Sequence, residues 1–228
     1  MQKFHIITTY RIHHEEEVMK FGVFIYEGVE PIDLATIGVL SMARRIAPEI
    51  SFWTVAATAG PVRLSNGLTV IADYGFDDLP SINILVVTGG PGWEKCCADQ
   101  ATLTFLRKMA GRATVASVCT GAMILAAAGL LEGQVATTKV EVATGEQVPL
   151  EIMRSQYPGI DVKAALLTDN GSIITGGGVS RCIDATLYLL EKYLGSDVAD
   201  QTARIMEYTH ARAANLAAAP VINNAANE

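Results

Sequence analysis

The sequence predicts an α/β fold, a three-layer sandwich with a mostly parallel central sheet and a nucleophile elbow. Three observations carry this. Short apolar runs of strand character alternate along the chain with helix-period segments, the pattern of βαβ units. Several of these runs are apolar without interruption, as expected of strands covered on both faces. Finally, Ser117-x-Cys119-x-Gly121 stands between an apolar run and a helix-forming run, with the small-x-nucleophile-x-Gly spacing of an elbow.

The elements follow in order. Residues 1–18 are polar, charged and without a period, so an N-terminal arm is expected there. The adjacent His13 and His14 in it are read as solvated side chains. Strands are expected at 21–25, 51–57, 83–88, 114–118, 134–138 and 172–175, with a short addition at 68–73 near the sheet edge. Helical spacing joins Leu34, Ile37 and Leu40, then Leu103, Leu106 and Ala110, then Ile183, Leu187, Leu190 and Leu194. Gly129 and Gly195 mark helix ends. No repeat or linker divides the chain. One domain is expected over 19–216, and the small, polar residues 217–228 are expected to form a flexible tail.

Composition narrows the function. With 50% hydrophobic and 18% charged residues, the 228-residue chain can build a sizeable core. The formal charge of -7, without a basic stripe, argues against a nucleic-acid surface. The opening residues have no secretory pattern, and the apolar run 122–131 is far short of the ~18 residues a membrane span needs. A soluble cytoplasmic protein is expected. Cys96, Cys97, Cys119 and Cys182 form neither a disulfide framework nor a zinc pattern, so no metal site is expected.

Cys119 is the candidate nucleophile. An elbow lifts it clear of the sheet, and the helix that follows aims its first amides at the sulfur, an environment expected to lower the thiol pKa. Three loops at the carboxyl ends of the strands, where ligands bind in such sheets, surround it in the expected fold. The loop Thr88-Gly89-Gly90-Pro91-Gly92-Trp93 offers close-lying amides, and Gly90 N–H and Thr120 N–H are candidate oxyanion donors. The loop 26–34 carries Asp33, whose simplest role is a helix cap. Its functional role would be an acid with a raised pKa beside the thiol. Glu27 and Glu30 are weaker rivals. The loop Thr175-Gly176-Gly177-Gly178 marks special backbone. No histidine lies near these loops, so a Cys-His pair has no obvious base and attack by a pre-formed thiolate fits better. Cys96 and Cys97 are read as packing, with lining of the pocket mouth the alternative. Cys182 opens a helix, and Trp93 is a candidate lid.

These residues resemble the ThiJ/PfpI superfamily, whose flavodoxin-like fold is shared with class I glutamine amidotransferases. The resemblance is carried by Val118-Cys119-Thr120-Gly121-Ala122, by Ala128-Gly129-Leu130-Leu131-Glu132-Gly133, by Ala136-Thr137-Thr138, by Val86 to Gly90, by Ile32-Asp33-Leu34, and by Thr175 to Gly178 followed by Ile183-Asp184. It covers about residues 20–210 and looks most like the isonitrile hydratase branch and the sensor domains of AraC-type regulators. It implies Cys119 as nucleophile, Asp33 as catalytic acid and Thr120 as their neighbour, with Gly89 and Gly90 binding substrate or developing charge. It implies a small-molecule substrate, no cofactor and a homodimer. Lys139-Val140 stands where those branches carry His-Trp, and Thr36-Ile37 where they carry Gly-Pro. Thr120 also departs from the His that follows the Cys in the superfamily's proteases and glyoxalases. The expected activity is a Cys-dependent hydratase or hydrolase converting an isonitrile to an N-substituted formamide. The alternatives are a non-catalytic sensor and a redox or stress protein. No helix-turn-helix pair fits after about residue 210.

Overall fold

The computed structural model describes residues 18–225, so the expected arm lies outside it apart from Val18. Strand β1 (Lys20–Phe24) leads through a 3-10 turn (Pro31–Leu34) into α1 (Ala35–Ala43). Next come β2 (Ser51–Val55), β3 (Gly60–Arg63), β4 (Thr69–Ala72), β5 (Ile84–Val87), α2 (Trp93–Ala98) and α3 (Gln100–Ala110). Then follow β6 (Thr114–Ser117), α4 (Gly121–Ala127), β7 (Val135–Ala136), α5 (Pro149–Gln156), β8 (Asp161–Val162), β9 (Leu167–Asp169) and β10 (Ile173–Gly176). The chain closes with α6 (Cys182–Leu194), α7 (Ser196–Ile205), α8 (Thr209–Ala218) and β11 (Val221–Asn223).

The main sheet has the order β11-β9-β10-β6-β5-β1-β2. Strands β2, β1, β5, β6 and β10 are mutually parallel, and β9 pairs antiparallel to β10. The parallel part has the 2-1-3-4-5 winding of a flavodoxin-like sheet. Helices α1, α6 and α7 pack on one another, as do α2, α3 and α4, and the two groups cover opposite faces. Burial on both faces explains the unbroken apolar strands: every residue of β5 is buried, and Phe21, Val23 and Phe24 of β1 are at most 1% exposed. Each such large side chain contributes about 1.5–3 kcal/mol.

Several expected elements are placed differently. The 134–138 run yields only the two-residue β7, which pairs with β8 outside the main sheet. The 68–73 run yields β4, which pairs antiparallel with β3 in a separate hairpin. The flexible tail expected over 217–228 begins inside α8, and its Val221–Asn223 adds a parallel strand beside β9. Four parallel strands, β1, β5, β6 and β10, bring their carboxyl ends to one edge. There the loops carrying Asp33, Gly89-Gly90, Cys119 and Gly177 to Val179 meet.

Candidate active site

The elbow forms because the chain turns sharply between β6 and α4. Cys119 takes φ +53, a left-handed conformation that costs an ordinary L-residue roughly 1–3 kcal/mol and occurs where the surrounding structure enforces it. Three contacts do so here. Cys119 N–H donates to Gly177 O at 3.0 Å, Thr138 Oγ1–H donates to Cys119 O at 2.8 Å, and Gly121 N–H donates to Val118 O at 2.9 Å. Gly121 is required by space: a Cβ there would run into the carbonyl of Val87.

Asp33 lies in the 3-10 turn and is fully buried. It is not a cap; Glu30 fills that position, its carboxylate accepting from Ile32 N–H at 3.5 Å. Instead Asp33 Oδ2 accepts the Gly89 N–H at 2.6 Å, while Oδ1 has no hydrogen-bond partner among the described residues. Burial raises its pKa to about 7, the charge of Glu30 adding to the rise; the Gly89 amide, the Cys119 thiol and Lys139 pull the other way.

The sulfur differs from the sequence-based expectation. Burial, and then the charge of Asp33, push the Cys119 thiol up to about 11, although the Val179 and Thr120 amides and Lys139 act to lower it. Backbone amides do reach the sulfur, but desolvation outweighs them. The resting group is therefore a thiol beside a carboxyl that is half ionised near neutral pH, rather than a pre-formed thiolate.

The glycine loop also works differently. The Gly89 amide is taken by Asp33, and the Gly90 amide donates to Thr120 Oγ1 at 2.9 Å. The Thr120 amide acts on the sulfur of Cys119. These amides thus hold the reactive side chains in place and do not stand open as oxyanion donors. Gly90 has φ +143, and a Cβ there would strike the Glu30 backbone nitrogen, so the loop can only be closed with glycine.

Cys119, Thr120 and Gly90 open onto a cleft of about 660 Å³, and Trp93, the candidate lid, lines it. Asp33 and Gly89 stand behind that wall. Sequence reading missed the opposite side, formed by Val142, Pro149 and Ile152 around the start of α5, and the approach of Val179. Val179 carries its own signal only in three dimensions, a β-branched residue at φ +52. Glu30 and Lys139 also line the cleft. Glu27 faces away, its carboxylate accepting Arg63 N–H at 3.4 Å.

The other thiols lie elsewhere. Cys96 borders a separate 340 Å³ cleft, Cys97 Sγ donates to Met123 O at 3.5 Å, and Cys182 Sγ donates to Ile32 O at 3.4 Å. Burial is the main cause that raises all three pKa values. Asp184 accepts from Tyr208 Oη–H at 3.0 Å and Asn215 Nδ2–H at 2.8 Å, on the far side of α6 from the cleft.

The geometry agrees with comparisons to known proteins. The DJ-1/PfpI family model matches residues 19–192. An isonitrile hydratase of Pseudomonas putida is 32% identical over 194 residues, covering 85% of this chain and 80% of that protein. The HTH-type transcriptional regulator CdhR of Pseudomonas aeruginosa is 31% identical over 167 residues, covering 72% of this chain and 47% of the regulator. A crystal structure of a ThiJ/PfpI family protein from Pseudomonas syringae superposes with a TM-score of 0.72 at 24% identity, covering 86% of this chain and 84% of that one. The motif block around Cys119 and the flavodoxin-like sheet thus have one explanation: the chain belongs to the DJ-1/PfpI family.

Proposed function

We propose that this protein is a cysteine-dependent enzyme that adds water to a small electrophile, with an isonitrile as the substrate class. The observation that carries the reading is the Cys119–Asp33 pair: a strained, held thiol at a cleft and a buried carboxyl behind it, each shifting the other's proton affinity. The similarity to an isonitrile hydratase supports the substrate class.

The steps balance without a cofactor. As Sγ attacks the terminal carbon of R–N≡C, the Asp33 carboxylate takes the thiol proton and delivers it to that carbon. The product is a thioimidate, R–N=CH–S, on Cys119. Water then adds across the C=N bond, its hydroxyl going to carbon and its proton to nitrogen, with Asp33 as proton carrier. The C–S bond breaks, the hydroxyl proton returns to sulfur, and R–NH–CHO leaves. Asp33 is suited to both directions because its pKa of about 7 lies near the working pH. Thr120 positions the Gly90 amide and the pocket wall.

A second reading, a sensor that binds without turnover, is favoured by the similarity to a regulator and by a thiol held protonated. One assay separates the two: purified protein is incubated with small alkyl isonitriles, and formamide and bound ligand are both quantified. Many formamides per protein support the enzyme; saturable binding with no formamide supports the sensor and overturns the enzyme.

A further inference from the structure

Among the described residues, Lys139 is the one basic side chain that lines the Cys119 cleft. Its place is fixed by the backbone: Lys139 O accepts Leu150 N–H at 3.2 Å from the start of α5, and its stem packs against Gly178. It is half-buried, and no carboxylate lies within ion-pairing distance of its ammonium among the described residues. That absence stands out because Glu30, Glu94 and Glu146 line the same cleft. Two of these have local partners. Glu30 accepts from Ser65 Oγ–H at 3.3 Å and from Ile32 N–H at 3.5 Å, and Glu146 accepts from Ala143 N–H at 3.1 Å. Glu94 is exposed in the first turn of α2. Glu30 is therefore engaged by Ser65 and by its own turn, Glu94 and Glu146 are exposed, and the ammonium is left to the cleft.

A half-buried ammonium without a protein counter-ion is a recognition point for an anion, because desolvation strengthens its pull on a partner that brings its own charge. We propose that Lys139 is the anion-binding corner of this site and that the electrophile it serves carries a carboxylate. The inference deepens the water-addition reading and rests on it for the identity of the electrophile, but not for the presence of the anion corner. Lys139 also acts on the Cys119 and Asp33 charges, so its removal slows Cys119 toward any reagent. A ratio of two reagents cancels that general effect.

The test compares alkylation of Cys119 by iodoacetate and by iodoacetamide, which differ in charge and little in shape. Rates are read by mass spectrometry of the Cys119 peptide and normalised to glutathione. Lys139→Met should lower the iodoacetate-to-iodoacetamide ratio about fivefold, and Lys139→Arg should hold it within about twofold of the wild type. Lys108→Met, on the exposed face of α3 and away from the cleft, should leave the ratio unchanged. A ratio indifferent to Lys139→Met, or one that falls equally in Lys108→Met, overturns the proposal. In parallel, kcat/KM is measured for isocyanoacetate and its methyl ester. A preference for the acid that Lys139→Met abolishes supports the proposal, and turnover of both with no dependence on Lys139 overturns it. If neither is turned over while the alkylation ratio still responds, the anion corner stands and the water-addition reading fails.

Discussion

At the scale of single residues, the proposed chemistry depends on two buried groups, Asp33 and Cys119. Asp33 titrates at about 7 in the folded chain, against about 3.9 for an unperturbed Asp. In the proposed chemistry its carboxylate form accepts the thiol proton, so kcat/KM should rise with pH through about 7. A steady-state pH profile checks this, and a rate already flat from pH 5 upward would contradict it. The same shift makes a stability prediction. A raised folded pKa means the native state binds the extra proton. The resulting stabilisation is full below about pH 4 and is lost as pH rises through about 7. Asp33→Asn removes the titration while keeping an acceptor for the Gly89 amide. Its stability relative to wild type should therefore improve by about 2–3 kcal/mol between pH 5 and pH 8, read from denaturant melts at the two values. Of these features, the identity of Cys119 was legible from small-x-Cys-x-Gly. From its own surroundings Asp33 was visible as a lone acid before a helix, where capping is the commoner role, and the Ile32-Asp33-Leu34 resemblance was what pointed to a catalytic acid. The upward shift of the thiol was not legible, because it comes from packing by segments far apart in sequence.

At the scale of elements, the strand-to-helix elbow is the part that local sequence dictates most fully. Gly121 follows the thiol because a Cβ there would run into the Val87 carbonyl of β5. Gly121→Val should destabilise the chain by about 2 kcal/mol or more through overpacking against the Val87 carbonyl. It should also move the sulfur, so thermal melting and Cys119 alkylation should change together. A variant with wild-type melting and alkylation would show that the close approach is not needed. Strand β5 was readable as an unbroken apolar run, and β1, β6 and β10 as short runs rich in apolar residues. Strands β8, β9 and β11 are two or three residues long, too short for any period, and their pairing is decided by partners distant in the chain. Helix α5 was missed for a related reason. It follows a polar stretch and begins at Pro149, and its buried residues reduce to Pro149, Leu150 and Met153. That gap in the reading removed one wall of the cleft from view.

At the scale of the whole molecule, the edge of the sheet far from β2 is tied down by an ion pair whose carboxylate, Asp169, is buried and whose ammonium, Lys192, reaches solvent. Asp169 of β9 is fully buried and accepts from Lys192 Nζ at 2.6 and 2.8 Å, from Tyr188 Oη–H at 2.7 Å and from Gly171 N–H at 2.7 Å. These contacts tie β9 to α6, and β11 pairs with β9. Lys192→Met removes the cation while Tyr188 and Gly171 still donate to Asp169, which should cost about 1–3 kcal/mol. The loss should appear as a lower urea midpoint. The Cys119 alkylation rate of the folded fraction should not change, since the elbow lies across the sheet. Among the described residues no helix is long and apolar enough to cross a membrane, and the cleft, not an extended surface, is where the chain's unusual chemistry collects. Formamide production by Cys119→Ala checks whether Cys119 forms a bond to the substrate. A covalent role for Cys119 requires turnover to fall by at least about a thousandfold in a variant whose circular dichroism and melting match the wild type. A Cys119→Ala protein that makes formamide at the wild-type rate would contradict it.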